Sequence, residues 1–185
     1  QSQIKRSLPD AYSELSKHPR AFNLGGVAIA ERHNKKGDEH IRIHHKSEQG
    51  CRFFITQAVY NADATIDMLQ QYSQLCQQKG VKPNRVILTF TPCGSETTLA
   101  FMQWLGISTS SAVRTRLLNA ANPLSESLRV CEENLQKILT YCANLNIPLG
   151  LNIESLTNRK EEIDASIKLF KILKATLDLN LANRF

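Results

Sequence analysis

Four short apolar runs, each leading into a helical pattern, predict an α/β protein with a parallel sheet, about half of a (β/α)8 TIM barrel. The runs lie near residues 24–30, 52–57, 85–90 and 147–153, and apolar residues recur every three to four positions between them. A closed barrel takes ~250 residues, so 185 residues with four strands amount to a partial barrel. Nothing demands a second domain, so residues 1–185 read as one unit in which the N-terminal barrel strands are absent. Right-handed crossovers place the four strands side by side in sequence order with helices on the outer face. Two strand edges and an inner apolar face are then expected to need more N-terminal sequence or a partner copy to cover them.

Residues 9–18, opened by Pro9 and Asp10 and followed by Pro19, predict a first helix. Phe22 to Ala30 reads as a strand of small residues, with Glu31, Arg32 and His33 at its carboxyl end. Asp38 to Gln49 is a charged helix closed by Gly50. Arg52 to Gln57 follows as a strand whose run Phe53-Phe54-Ile55 predicts burial on both faces. Asp63 is placed to cap a helix carrying Ile66, Leu69, Tyr72, Leu75 and Cys76 inward and ending at Lys79-Gly80. The strand Arg85 to Phe90 turns through Thr91-Pro92-Cys93-Gly94 into a helix from Glu96 to Leu105, with Ser95 as its N-cap. A short helix is expected within 108–119, and the longest from Ser125 to about Asn146 with Leu128, Cys131, Leu135, Ile138, Leu139, Cys142 and Leu145 on one stripe. Pro148 is acceptable at the start of the fourth strand, and a last helix from Lys160 to about Ala175 should turn Ile163, Ile167, Phe170 and Leu173 inward.

Composition narrows the function classes. The 42% hydrophobic content is that of a globular chain, no run nears the ~18 apolar residues of a membrane span, and residues Gln1 to Arg6 lack the apolar core expected of a signal peptide. A cytoplasmic protein is the expectation. Five cysteines without a C-x-x-C pair suggest neither a disulfide framework nor a zinc ribbon, and read as buried thiols. A net charge of +6 is spread without a basic block, so nucleic acid is not an expected partner. His40/His44 or His44/Glu48 share a helix face but lack a third ligand, so no metal is expected. P-loop, G-x-G-x-x-G and G-x-S-x-G motifs are all missing.

The residue singled out for chemistry is Gln57, an amide at the carboxyl end of a strand, where parallel α/β folds bind ligands. An amide both donates and accepts, which suits the edge of a pterin or a pyrimidine. The run Lys46-x-x-x-Gly50 leading to Ile55-Thr56-Gln57, the turn ending in Thr91-Pro92, and Gly150-Leu151-Asn152-Ile153-Glu154-Ser155-Leu156-Thr157-Asn158 together resemble the carboxyl half of the methylenetetrahydrofolate reductase barrel, over residues 10 to 175. That resemblance implies a folate pterin on Gln57 and FAD phosphates and ribose near Glu31, His33, Glu39 and Lys46. It further implies an oxidoreductase of one-carbon metabolism reducing 5,10-methylenetetrahydrofolate to 5-methyltetrahydrofolate with NAD(P)H as co-substrate.

The family's strand-end tyrosine is Ile29 here, and a second tyrosine is Glu154. The resemblance places the catalytic glutamate on strands that precede this chain, so no catalytic residue is assigned. Two alternatives therefore stay open: a non-catalytic folate- or nucleotide-binding relative, and a partial-barrel interaction domain. A homo-oligomer is one way to supply the missing half.

Overall fold

The computed structural model describes residues 23–182, so the helix expected over 9–18 lies outside the described residues. Its strands are β1 (Gly25–Ala28), β2 (Phe53–Ala58), β3 (Arg85–Phe90) and β4 (Leu149–Ile153), all parallel and ordered β1-β2-β3-β4. Seven helices accompany them among the described residues: α1 (Ala30–Lys36), α2 (Glu39–Glu48), α3 (Ala62–Gln78), α4 (Glu96–Trp104), α5 (Ser111–Leu118), α6 (Pro123–Tyr141) and α7 (Lys160–Ala182). The strand positions and their order match the expectation. The TIM-barrel class does not: the sheet is open, four-stranded, and β1 and β4 are its edges among the described residues. The βα alternation is common to open and closed parallel sheets, and closure is set by strand number, tilt and stagger, which local periodicity does not encode.

Strands laid down in sequence order by right-handed crossovers put their helices on one side. The alternating burial of β2 shows this: Phe54, Thr56 and Ala58 are buried, while Phe53, Ile55 and Gln57 are half-buried. The expectation that β2 is buried on both faces is corrected accordingly. Helices α2, α3, α6 and α7 pack each against the next in the order of the strands they follow. Beneath them Phe54, Val86, Leu88 and Phe90 meet Leu69, Tyr72, Leu99, Leu135 and Leu139 in one core.

Local chemistry accounts for the boundaries. Ser95 caps α4 by accepting from Thr98 N–H, as its position predicts. Helix α3 is capped by Asn61 and not Asp63, through Asn61 Oδ1 and Ala64 N–H. Helix α6 starts at Pro123 behind the Asn122 cap and ends at Tyr141, shorter than expected, and at 19 residues it is exceeded by the 23 of α7. Glu31, Arg32 and His33 belong to α1, a short helix closed by Gly37 at φ 67°, where a strand end was expected.

The face of α7 is a second correction. Glu162, Ala165, Leu169 and Leu173 point inward, whereas Ile163, Ile167 and Phe170 are exposed. Two apolar stripes compete on this helix, and the sheet selects the one that β4 can reach.

Candidate functional site

The uncovered side of the sheet carries Val27 on β1, Phe53, Ile55 and Gln57 on β2, Arg85, Ile87 and Thr89 on β3, and Gly150 and Asn152 on β4. The register sets Ile87 beside Gly150 and Thr89 beside Asn152, so the polar groups gather at the carboxyl edge and the apolar ones behind them. Gln57 Nε2 donates to the Leu105 carbonyl at 3.0 Å. Asn152 Nδ2 donates to Thr89 Oγ1 at 3.2 Å and to Glu154 Oε1 at 2.8 Å. Those acceptors take the N–H groups of both amides, leaving Gln57 Oε1 and Asn152 Oδ1 as their acceptor ends. The two residues stand on strands two spacings apart, about 10 Å. Between them lies the half-buried Ile87, with Thr89 buried against the Asn152 amide.

One segment overhangs this edge. The chain leaving α4 is held by Gln57 at Leu105 and by Glu31, whose Oε1 accepts the Ser108 N–H at 3.3 Å. These two long-range bonds fasten residues 105–108 across the ends of β2 and β1. Glu31 itself is only 9% exposed, and burial raises its pKa above the ordinary carboxylate value.

The other residues matched to cofactor contacts serve the packing of α1 and α2. Glu39 is fully buried, accepting from Ile29 N–H at 3.1 Å and from Arg32 at 3.2 Å, so it caps α1 from the next helix. His33 is buried, 3.1 Å from Asp67 of α3 without hydrogen-bond alignment and edge-on to His40. Lys46 donates to the Val27 carbonyl at 2.6 Å, tying α2 to β1, and burial lowers its pKa. A flavin diphosphate would need donors presented outward. Glu39 presents none, and the His33 ring is enclosed, so this set does not fit FAD phosphates as arranged.

Asn152 and Thr89 escaped sequence reasoning as site residues because their roles depend on the β3–β4 register, which no local pattern reveals. Glu162 escaped it too. It is buried at the carboxyl ends of β3 and β4, where Thr98 Oγ1 and Thr157 Oγ1 each donate to its carboxylate at 2.8 Å. The first-turn pair Glu161-Glu162 was its only local signal. No group of three or more potential metal ligands occurs among the described residues, and no helix among them is long and apolar enough to cross a membrane.

No protein-family model matches the chain. No curated protein matches it either. Among solved structures it is similar to one described as an uncharacterized protein from Clostridium thermocellum that binds two copies of 5-methyl-5,6,7,8-tetrahydrofolic acid, with a TM-score of 0.82 and 41% identity. The similarity covers 93% of this chain and 60% of that one, so the chain spans less than two thirds of its relative.

Proposed function

We propose that this chain binds a reduced folate, with the pterin ring lying on the carboxyl edge of the uncovered sheet face. One observation carries the reading: the half-buried amides of Gln57 and Asn152, their N–H groups already engaged, share the uncovered sheet face with the half-buried Ile55 and Ile87, and the Glu154 carboxylate is bonded to the Asn152 amide. A reduced pterin offers N–H donors at its 2-amino, N3 and N8 positions to such acceptors, and a ring face that packs on apolar side chains. The 41% identity to a protein described as binding 5-methyltetrahydrofolate supports the same ligand class.

The test is equilibrium dialysis of 5-methyltetrahydrofolate against the wild-type chain and Gln57→Leu. Loss of one acceptor should weaken binding by ~1–3 kcal/mol, about five- to a hundred-fold, and loss of the Leu105 bond should lower stability by about 0.5–1.5 kcal/mol, leaving the variant folded. Equal affinities would remove Gln57 from the site, and no binding by the folded wild type would remove the reading.

The resemblance around Ile55-Thr56-Gln57 favours a narrower second reading, a reductase of 5,10-methylenetetrahydrofolate using NAD(P)H, with any flavin held by groups other than Glu31, His33, Glu39 and Lys46. Its test is separate: folate-dependent oxidation of NADH or NADPH, together with a flavin absorbance spectrum in the purified protein. Turnover would extend the reading from binding to chemistry. Binding without turnover would leave the chain a folate-binding relative.

A further inference from the structure

We propose that Thr56 is a positioning residue for the Gln57 amide, its hydroxyl pinning the irregular step in β2 at which Gln57 stands. The register shows that step. Ile55 is paired with Ile87 and Ala58 with Thr89, so Thr56 and Gln57 of β2 stand against Leu88 alone on β3. Two residues against one make a β-bulge, a device that bends its strand and re-aims a side chain. Here it falls on Gln57 itself. Thr56 is only 5% exposed, so any part it takes in binding is played through its neighbours.

A side chain holds the bulge. Thr56 Oγ1 accepts the Thr89 N–H at 2.9 Å, and both residues are buried. Beyond it the main-chain pairing resumes, with Val59 N–H donating to the Thr89 carbonyl at 2.9 Å. A buried N–H that loses its acceptor is costly, and the strand relieves that cost by turning another acceptor toward it. The nearest are carbonyls of β2, and a shift of β2 toward regular pairing moves Gln57, because neighbouring strand positions face opposite sides of a sheet. Gln57 would then leave the Leu105 carbonyl, to which it is bonded at 3.0 Å. Asn152 is better protected, since its amide donates to Glu154 Oε1 at 2.8 Å as well as to Thr89 Oγ1 at 3.2 Å. Valine has the shape of threonine without the acceptor, so Thr56→Val isolates the hydroxyl.

The consequence for folate rests on the reading of the preceding subsection; the effect on the Gln57 amide does not.

Two measurements test it. One is nitrogen-15 NMR of the Gln57 side-chain amide without ligand, its signals assigned by their loss in Gln57→Leu, and the other is equilibrium dialysis of 5-methyltetrahydrofolate. Thr56→Val should move those signals toward the positions of a free amide and weaken folate binding by roughly 5- to 30-fold, and Thr56→Ser, which restores the acceptor, should return both to near wild type. Tyr72→Phe is the matched control, because the Tyr72 hydroxyl accepts the Asn84 N–H at 2.9 Å ahead of β3, at the opposite end of the sheet. It should lower the thermal midpoint and leave both readouts unchanged. On top of Gln57→Leu, Thr56→Val should weaken folate by less than about twofold more. If Thr56→Val does not fold, Thr56→Cys, with sulfur as a weaker acceptor, should show a smaller change in the same direction. Unchanged Gln57 signals in the folded variant, with folate affinity lost only in Gln57→Leu, would overturn the inference and leave the first reading standing. A folate loss that adds in full to that of Gln57→Leu would also overturn it. Signals that move in Thr56→Val, in a wild type that binds no folate, would support the positioning role and remove the folate reading.

Discussion

Glu31 is a carboxyl group that folding moves out of water, and its protonation should therefore register in stability. Desolvation raises its folded pKa above the ordinary value of 4.5, so the folded chain holds this proton more tightly than the unfolded chain does. The favourable contribution is complete below the unfolded pKa and is lost as pH rises through the folded one. Glu31→Gln removes that dependence, so the midpoint of the variant should gain on wild type as pH rises above 4.5, measured by thermal melts across pH. A constant difference across that range would mean that water reaches the carboxylate. The thiols are a second case at this scale. All five cysteines are reduced and buried, and burial pushes Cys93 and Cys142 to about 11 and Cys131 to about 12. A thiol reagent at pH 8 should find almost none of them in the native protein and all five after denaturation, because the thiolate is the nucleophile. Cysteine burial was legible from the sequence, since an odd count without metal-type spacing leaves little else. The roles of Glu31 and Glu39 were not, because each depends on a partner that the fold delivers: Ser108 comes from 77 positions away.

Elements were legible where a single stripe or cap decided them. Helix α6 buries Leu128, Cys131, Leu135, Ile138 and Leu139 of its predicted stripe, while Cys142 and Leu145 fall beyond its end, and Ser95 caps α4 as its position requires. Ambiguity entered where two local signals competed, as in the choice between Asn61 and Asp63 for the cap of α3. Asn61 precedes the helix with non-helical backbone, and its side chain accepts from Ala64 N–H, so Asn61→Ala should cost about 1 kcal/mol while Asp63→Ala costs less, as read by denaturant unfolding. The glycines of β1 separate in the same assay. A Cβ on Gly26 would come within 2.9 Å of the Phe54 ring, which is fully buried and has nowhere to turn. A Cβ on Gly25 would strike the outer end of the Phe53 ring, which is half-exposed and free to swing toward solvent. Gly26→Ala should therefore cost about 1–3 kcal/mol and Gly25→Ala distinctly less. The reverse order would mean that the two faces of β1 have been assigned the wrong way round.

The architecture of the whole molecule was legible as far as strand order and the side that bears the helices, and illegible in how the sheet finishes. Repeated βα units specify neighbours, whereas closure is a global property of tilt and stagger. The consequence is a surface on which strongly apolar side chains meet solvent: Val27 on β1 is 54% exposed, and Ile167 and Phe170 stand 55% and 48% exposed beside a groove of about 420 Å³ along β4. Residues that bury little in the described structure contribute little to its folding, yet an exposed strand edge with an apolar flank favours association. The double variant Ile167→Lys, Phe170→Lys should therefore change unfolding free energy by no more than about 0.5 kcal/mol per site, while lowering hydrophobic-dye fluorescence and any concentration dependence of sedimentation. Leu169→Ala is the control on the inward face of the same helix, where a fully buried leucine should cost about 2–5 kcal/mol. If the lysine pair destabilises the chain as much as the control does, the outer stripe of α7 is packed in solution, and the inward face of α7 must be reassigned to the residues that periodicity first named.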